Sequence, residues 1–204
     1  MKIRTLTFLS FLLILFSLKA QAPSSAEIIN HAIEVLDKTS SMSVDFNISV
    51  GPNKGKGSLK VSGNKFQVSM PDVKVWYNGK EMFTYNDNIK ETTEMIPTVE
   101  ELREVNPLLY IKSAKSGFNS KYADKKIAGK YIIELTPKTK GSDVKKIIIT
   151  LKSDYLPEKI KIDPISGQSI ELQINQINKN ASFKPSDFEY PQSQYKGIEI
   201  IDLR

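Results

Sequence analysis

The sequence predicts a mainly β protein: a strongly bent antiparallel sheet or barrel of about ten or eleven short strands. Three observations predict it. Apolar and polar residues alternate along most of the 204-residue chain, the pattern of strands buried on one face. Turn residues punctuate that alternation at short intervals. The period becomes helical in two places only, once near the start and once in the middle.

The first helical stretch begins at Ser24 and Ser25, both candidate N-caps, with Glu27 in the first turn. Ile28, Ile29, Ala32, Ile33, Val35 and Leu36 then recur at helical spacing up to about Lys38. From Val44 the period is two: Val44, Phe46, Ile48 and Val50 alternate with Asp45, Asn47 and Ser49. Further strands are expected around Leu59–Val61, Phe66–Met70 and Val73–Tyr77, and then at Glu81–Tyr85 and Ile89–Met95. Asn78-Gly79 supplies the strongest short hairpin signal among their turns.

Thr98 can cap a second helix running from Val99 to Val105, with Glu100 and Glu101 at the positive end of its dipole. Asn106-Pro107 interrupts it, and Leu108–Ile111 forms a short apolar helix or turn. Strands resume beyond Gly117, at Lys130–Thr136, Lys145–Leu151, Pro157–Asp163, Gln168–Ile177 and Gly197–Leu203. The inner face of such a sheet is rich in large apolar residues and needs a cover. The leading helix and the Thr98–Lys112 insertion can supply it.

The N-terminus addresses the compartment. Lys2 and Arg4 precede an uncharged apolar run from Thr5 to Leu18, followed by Ala20 and Ala22. That core suits a secretory signal and is shorter than the ~20 residues of a membrane span. Residues 1–20 are expected to be a signal peptide, cut after Ala20, because a cut after Ala22 would leave Pro23 first. Residues 21–204 are expected to form one domain, since no repeat, linker or low-complexity tract divides them. The chain has no cysteine, so it lacks the thiol that would carry a lipid anchor and must be stabilised by packing instead of disulfides. The formal charge of +6 halves once Lys2, Arg4 and Lys19 are removed. The remainder is dispersed lysine, which does not call for nucleic acid.

Little in the sequence points to catalysis. With one histidine, His31, and no cysteine, zinc sites built on those ligands, Cys–His mechanisms and most Ser–His mechanisms are excluded. Gly51, Gly55 and Gly57 fail the spacing of a phosphate loop. Glu91 and Glu94 fall on opposite faces of a strand, and Glu100, Glu101 and Glu104 fit a solvated helix face. No enzyme activity, cofactor or metal is expected.

The order of segments resembles the LolA family of periplasmic outer-membrane lipoprotein carriers. The similarity rests on Ser43-Val44-Asp45-Phe46, on Gly57–Val61 leading into Asn64-Lys65-Phe66, and on the Asn78–Asn86 hairpin. Asn106-Pro107-Leu108-Leu109, Glu134–Lys138, and Phe183 with Phe188-Glu189-Tyr190-Pro191 add to it. The resemblance implies an unclosed, strongly curved antiparallel β-barrel, with an N-terminal helix and a short helical lid over an apolar cavity that takes acyl chains. It also implies partners: acylated lipoproteins as cargo, an inner-membrane ABC-type releasing complex that loads the carrier, and an outer-membrane acceptor. The carrier itself is expected to be a periplasmic monomer. Candidate lipid-binding residues are Phe46, Ile48, Leu59, Phe66, Val68, Met70, Trp76, Met82 and Phe83 from the sheet, with Leu102, Leu108, Leu109 and Ile111 from the lid.

The family's better-known members carry an arginine beside a proline just before the strand of Phe66, and it bonds to the lid. Here that stretch reads Val61-Ser62-Gly63-Asn64-Lys65, leaving Lys65 as a weaker substitute. Two alternatives share the fold. One is a carrier of a different lipid or hydrophobic molecule. The other is a lipoprotein-sensing module attached to a membrane-spanning regulator, which a chain ending at Arg204 without a second span is expected not to be.

Overall fold

Alternation along the chain produces one twelve-stranded sheet in the computed structural model, which describes residues 22–204. The expected signal peptide at 1–20 and its cut after Ala20 lie outside the described residues. The leading helix α1 (Ser25–Asp37) starts where the capping signal places it. Ser24 Oγ accepts from the Glu27 amide at 3.2 Å, and the Glu27 carboxylate accepts from the Ser24 amide at 2.6 Å. Its apolar stripe buries Ile28, Ile29, Ala32 and Leu36.

Six antiparallel strands follow as a meander: β1 (Ser41–Val50), β2 (Asn53–Ser62), β3 (Lys65–Ser69), β4 (Val73–Tyr77), β5 (Met82–Asn86) and β6 (Glu91–Met95). A second meander comprises β7 (Phe118–Tyr122), β8 (Lys130–Pro137), β9 (Val144–Lys152), β10 (Pro157–Pro164) and β11 (Ile170–Asn178). Pairing of β1 with β11 joins the two, with a register shift at Asp45/Phe46. A last strand, β12 (Glu199–Asp202), adds to β6 in parallel. The sheet order is therefore β12-β6-β5-β4-β3-β2-β1-β11-β10-β9-β8-β7, open between β12 and β7.

Two of these strands differ from expectation. The segment Phe118-Asn-Ser-Lys-Tyr122 was expected to hold no strand of its own, yet it pairs with β8 along the sheet edge. Its mostly polar composition carries little alternation, which an edge strand does not need. The strand near residues 197–203 forms as expected, but it is parallel to its neighbour.

Between β6 and β7 lie three helices: α2 (Val99–Val105), α3 (Leu108–Lys112) and α4 (Ala114–Gly117). Thr98 caps α2 through the same reciprocal pattern that starts α1, with Glu101 as its partner. β6 and β7 sit at opposite sides of the sheet, and this crossover runs over the concave face, where Leu102, Val105, Leu108 and Ile111 join the main core. α1 packs against α3, α4 and β7, and Lys112 Nζ reaches Asp37 Oδ1 at 2.9 Å. The core beneath them is aliphatic, with Ile111, Ile133, Leu135, Ile147, Ile149 and Leu151 fully buried.

A second, smaller core lies on the other face. The segment 183–198 wraps over β3–β5 and covers Trp76 and Tyr85 with Tyr190 and Tyr195. Phe83 stacks on Tyr190 with ring centroids 5.1 Å apart, and Tyr190 Oη and Thr92 Oγ1 share a buried hydrogen bond of 3.0 Å. The expectation that Trp76 and Phe83 line an inner cavity is thus corrected. Trp76 pairs with Gln67 and Phe83, whereas their neighbours Val75, Tyr77 and Met82 pack into the main core. Adjacent residues of a strand point to opposite faces, so Met82 and Phe83 cannot share one. Accordingly, Trp76→Ala should lower unfolding stability by about 3–5 kcal/mol in a denaturant titration. It should leave binding of an apolar dye to the inner cavity unchanged.

Candidate functional site: an apolar cavity beneath the helical crossover

The register of the first meander sets inward side chains in rows across the sheet. One row runs Val61, Phe66, Tyr77, Met82 and Met95. The next runs Val44, Leu59, Val68, Val75 and Thr84. The first row packs in the core at the end plugged by α1 and α3. The second row bounds a cavity of about 150 Å³.

Phe46, Ile48, Met70 and Val73 extend that wall, while Ile160, Ile162, Ile170, Leu172 and Ile174 supply the opposite one from β10 and β11. Val105, Pro107 and Leu108 roof it, and Glu104 stands at its rim. Room for it comes partly from two glycines in β2. Gly57 faces Phe46 across the strand pair and Gly55 faces Ile48. A Cβ on Gly57 would lie 2.5 Å from Phe46 Cζ and 3.1 Å from Met70 Cγ, so the Phe46 ring occupies the space that a side chain would take.

Of the expected lining residues, the cavity brings together Phe46, Ile48, Leu59, Val68, Met70 and Leu108. Phe66 and Met82 belong to the adjacent row and are packed in the core instead. Leu109 and Phe66 border a separate void of about 40 Å³ near Asn106. Trp76 and Phe83 are on the other face. The β10–β11 wall was missed, although Ile160/Ile162 and Leu172/Ile174 alternate with period two and could have signalled it.

The lid also divides. Ile111 is 0% exposed and Tyr110 and Leu108 are buried, so α3 is a fixed part of the core. By contrast, α2 has no buried residue, Val99 is 56% exposed, and only Leu102 and Val105 lean on the core. Between them, buried Asn106 accepts from the Leu108 amide at 3.2 Å, and its own amide donates to the Leu102 carbonyl at 2.9 Å. The expectation that Lys65 substitutes for the family arginine is not met by any bond: Lys65 borders the small void, and its side chain makes no hydrogen bond or ion pair among the described residues. α2 instead carries Arg103, whose guanidinium lies 6.0 Å from the centroid of the Phe118 ring.

Curved open sheet, helical crossover and a partly open apolar cavity define the class: a protein organised around an apolar interior. The chain belongs to the family of the outer membrane lipoprotein carrier protein LolA, whose model matches residues 17–168. Among solved structures it is similar to a conserved protein from Thermus thermophilus, at 10% identity and a TM-score of 0.57, covering 86% of this chain and 97% of that one. A DUF1329 family protein from Desulfovibrio piger is similar at 10% identity and a TM-score of 0.50, covering 83% and 98%. A LolA superfamily protein from Nitrosomonas europaea matches at 11% identity and a TM-score of 0.45, covering 83% and 99%. At such identities the first two likenesses show the fold alone. No curated protein sequence matches the chain.

Two outcomes follow from this geometry. Gly57→Ala should displace the Phe46 ring toward the cavity, costing about 1–3 kcal/mol and weakening uptake of an apolar dye. Ile111→Ala should cost about 2–5 kcal/mol in a denaturant titration. Leu102→Ala should cost well under half of that, because α2 contributes little to the core.

Proposed function

We propose that the protein is a periplasmic carrier that binds the acyl chains of lipoproteins and ferries them from the inner to the outer membrane. The observation that carries this reading is the apolar cavity roofed by a weakly held helix. Each acyl methylene withdrawn from water is worth ~0.8 kcal/mol, so an acylated anchor cannot cross an aqueous compartment unshielded. A carrier must cover that chain and still give it up, which favours a broad apolar wall under a movable roof.

The cavity volume of about 150 Å³ lies below the ~300–1,000 Å³ of ligand-sized pockets. It is comparable to a cavity that holds one benzene. In this reading the structure represents the closed carrier, and an acyl chain enters as α2 swings about Asn106-Pro107 while α3 stays in place. The lipid-binding residues proposed are Phe46, Ile48, Leu59, Val68, Met70 and Leu108, with the β10–β11 wall opposite. Phe66 and Met82 support them from the adjacent row, and Leu102, Leu109 and Ile111 hold the lid.

Residues 1–20 act as the export signal and residues 21–204 as one carrier domain, working as a monomer. An ABC-type complex loads it and an outer-membrane acceptor unloads it. No described helix is long and apolar enough to cross a membrane, and membership of the lipoprotein-carrier family supports the assignment.

Displacement of an environment-sensitive dye by a lipidated peptide tests the reading. The acylated peptide should displace the dye, its unacylated twin should not, and Val68→Asp should abolish the difference by facing hydrocarbon with a charge. Equal displacement by the two peptides would remove the carrier assignment.

A further inference from the structure

A second cavity, of about 320 Å³, lies next to the apolar one, between α2, the start of β7 and the β8–β9 hairpin. Glu104 lines both cavities. Three consecutive residues of α2 therefore divide the roof: Arg103 faces the second cavity, Glu104 both, and Val105 the apolar one. Lys140 and Asp143 from the hairpin, and Tyr110 and Phe118, complete its character.

Arg103 is the unusual member. Its side chain is 18% exposed, and Nη1 donates to Glu100 Oε1 at 3.2 Å. Its Nε is buried and has no hydrogen-bond partner. A buried donor on a charged group is normally satisfied, and leaving it unmet is costly. Nη1 has its acceptor in Glu100, but no acceptor oxygen among the described residues reaches Nε.

A simple anion is nevertheless a poor candidate. Glu100, Glu104 and Asp143 outnumber Arg103 and Lys140 around the cavity. The Tyr110 phenol registers this field: burial raises its pKa most, the charges of Glu104, Asp143 and Glu100 raise it further, and Arg103 opposes them. Carboxylates beside aromatic rings suit an ammonium group. The unmet guanidinium suits a phosphate oxygen. A single ligand satisfies both demands when it carries the two groups a short distance apart.

We propose that this cavity is the headgroup site for amphiphiles that join a phosphate ester to an ammonium group, with their acyl tail in the adjoining apolar cavity. Arg103 and Lys140 hold the phosphate, and Glu104 and Asp143 hold the ammonium beside Tyr110. Cargo enters tail first as α2 lifts, which also frees Arg103 from the Phe118 ring. The proposal rests on the carrier reading of the apolar cavity and narrows its cargo.

The test is dye displacement from the purified protein by three probes sharing a myristoyl tail: a lysophosphatidylethanolamine, a lysophosphatidylglycerol and an uncharged monoacylglycerol. The zwitterionic probe should bind roughly ten-fold tighter than either of the others, the effect of about one charge-assisted hydrogen bond. Arg103→Gln and Lys140→Gln should each erase most of that preference. Glu104→Gln should shift it toward the phosphoglycerol probe.

A purely mechanical role for Arg103, holding α2 down, would change affinity for all three probes together and leave their ratio intact. That result, or equal binding of the three by the parent, would overturn the headgroup site while leaving the acyl carrier standing. Failure of every probe to displace the dye would overturn both.

Discussion

The structure depends on one topological constraint: a sheet curved this far but left open must be crossed from one side to the other by its own chain. The first meander ends at β6 and the second begins at β7, on opposite sides of the sheet order. The connecting residues 96–117 run over the concave face, and that face is aliphatic. Covering it favours helices, because they satisfy their own backbone groups while presenting one apolar stripe. α1 arrives from the N-terminus and clamps α3 and α4. The strong contacts gather at one end, and the other end is left to α2.

That asymmetry gives the cavity its character. Were all three helices seated as α3 is, the interior would be an ordinary core. Instead, Gly57 lets the Phe46 ring settle on β2, and the cavity's roof includes Val105 of α2, the one of the three helices without a buried residue. The void is lined almost wholly by aliphatic and aromatic side chains, with Thr84 and Glu104 the polar exceptions. The cost of the unfilled space is set against an aliphatic core in which Ile133, Leu135, Ile147, Ile149 and Leu151 are completely enclosed.

Much of this was legible in the sequence, and what was not has physical causes. Both helix starts could be read because capping is local: Ser24 with Glu27 and Thr98 with Glu101 need no tertiary partner. The Asn78-Gly79 turn was legible for the same reason, with Asn78 Oδ1 accepting from two following amides and Gly79 at φ +101°. The faces of Trp76 and Phe83 were misread because both faces of β4 and β5 are apolar there. Which face an aromatic joins depends on residues 190–198, more than a hundred positions away. The β10–β11 wall went unassigned because the β1–β11 seam that folds it against the first meander is a non-local pairing, although its own period is regular. The parallel partnership of β12 had no local signal either.

That parallel strand bears on how the molecule behaves in company. An open sheet exposes unpaired amides and carbonyls that template association with another chain. On one side, the backbone of β6 is already engaged by β12, a strip of only four residues bounded by Glu199 and Asp202. Arg204 closes its end on Glu94 at 2.9 Å and on Asp202 at 2.7 Å. On the other side, the N-terminal end of α1 abuts β7, where Ser25 Oγ donates to the Ser120 carbonyl and Tyr122 Oη to the Pro23 carbonyl. Both margins are short, charged or covered. The protein can therefore keep a greasy interior within a curled sheet at high concentration without offering its margins as seeds for fibrillar stacking.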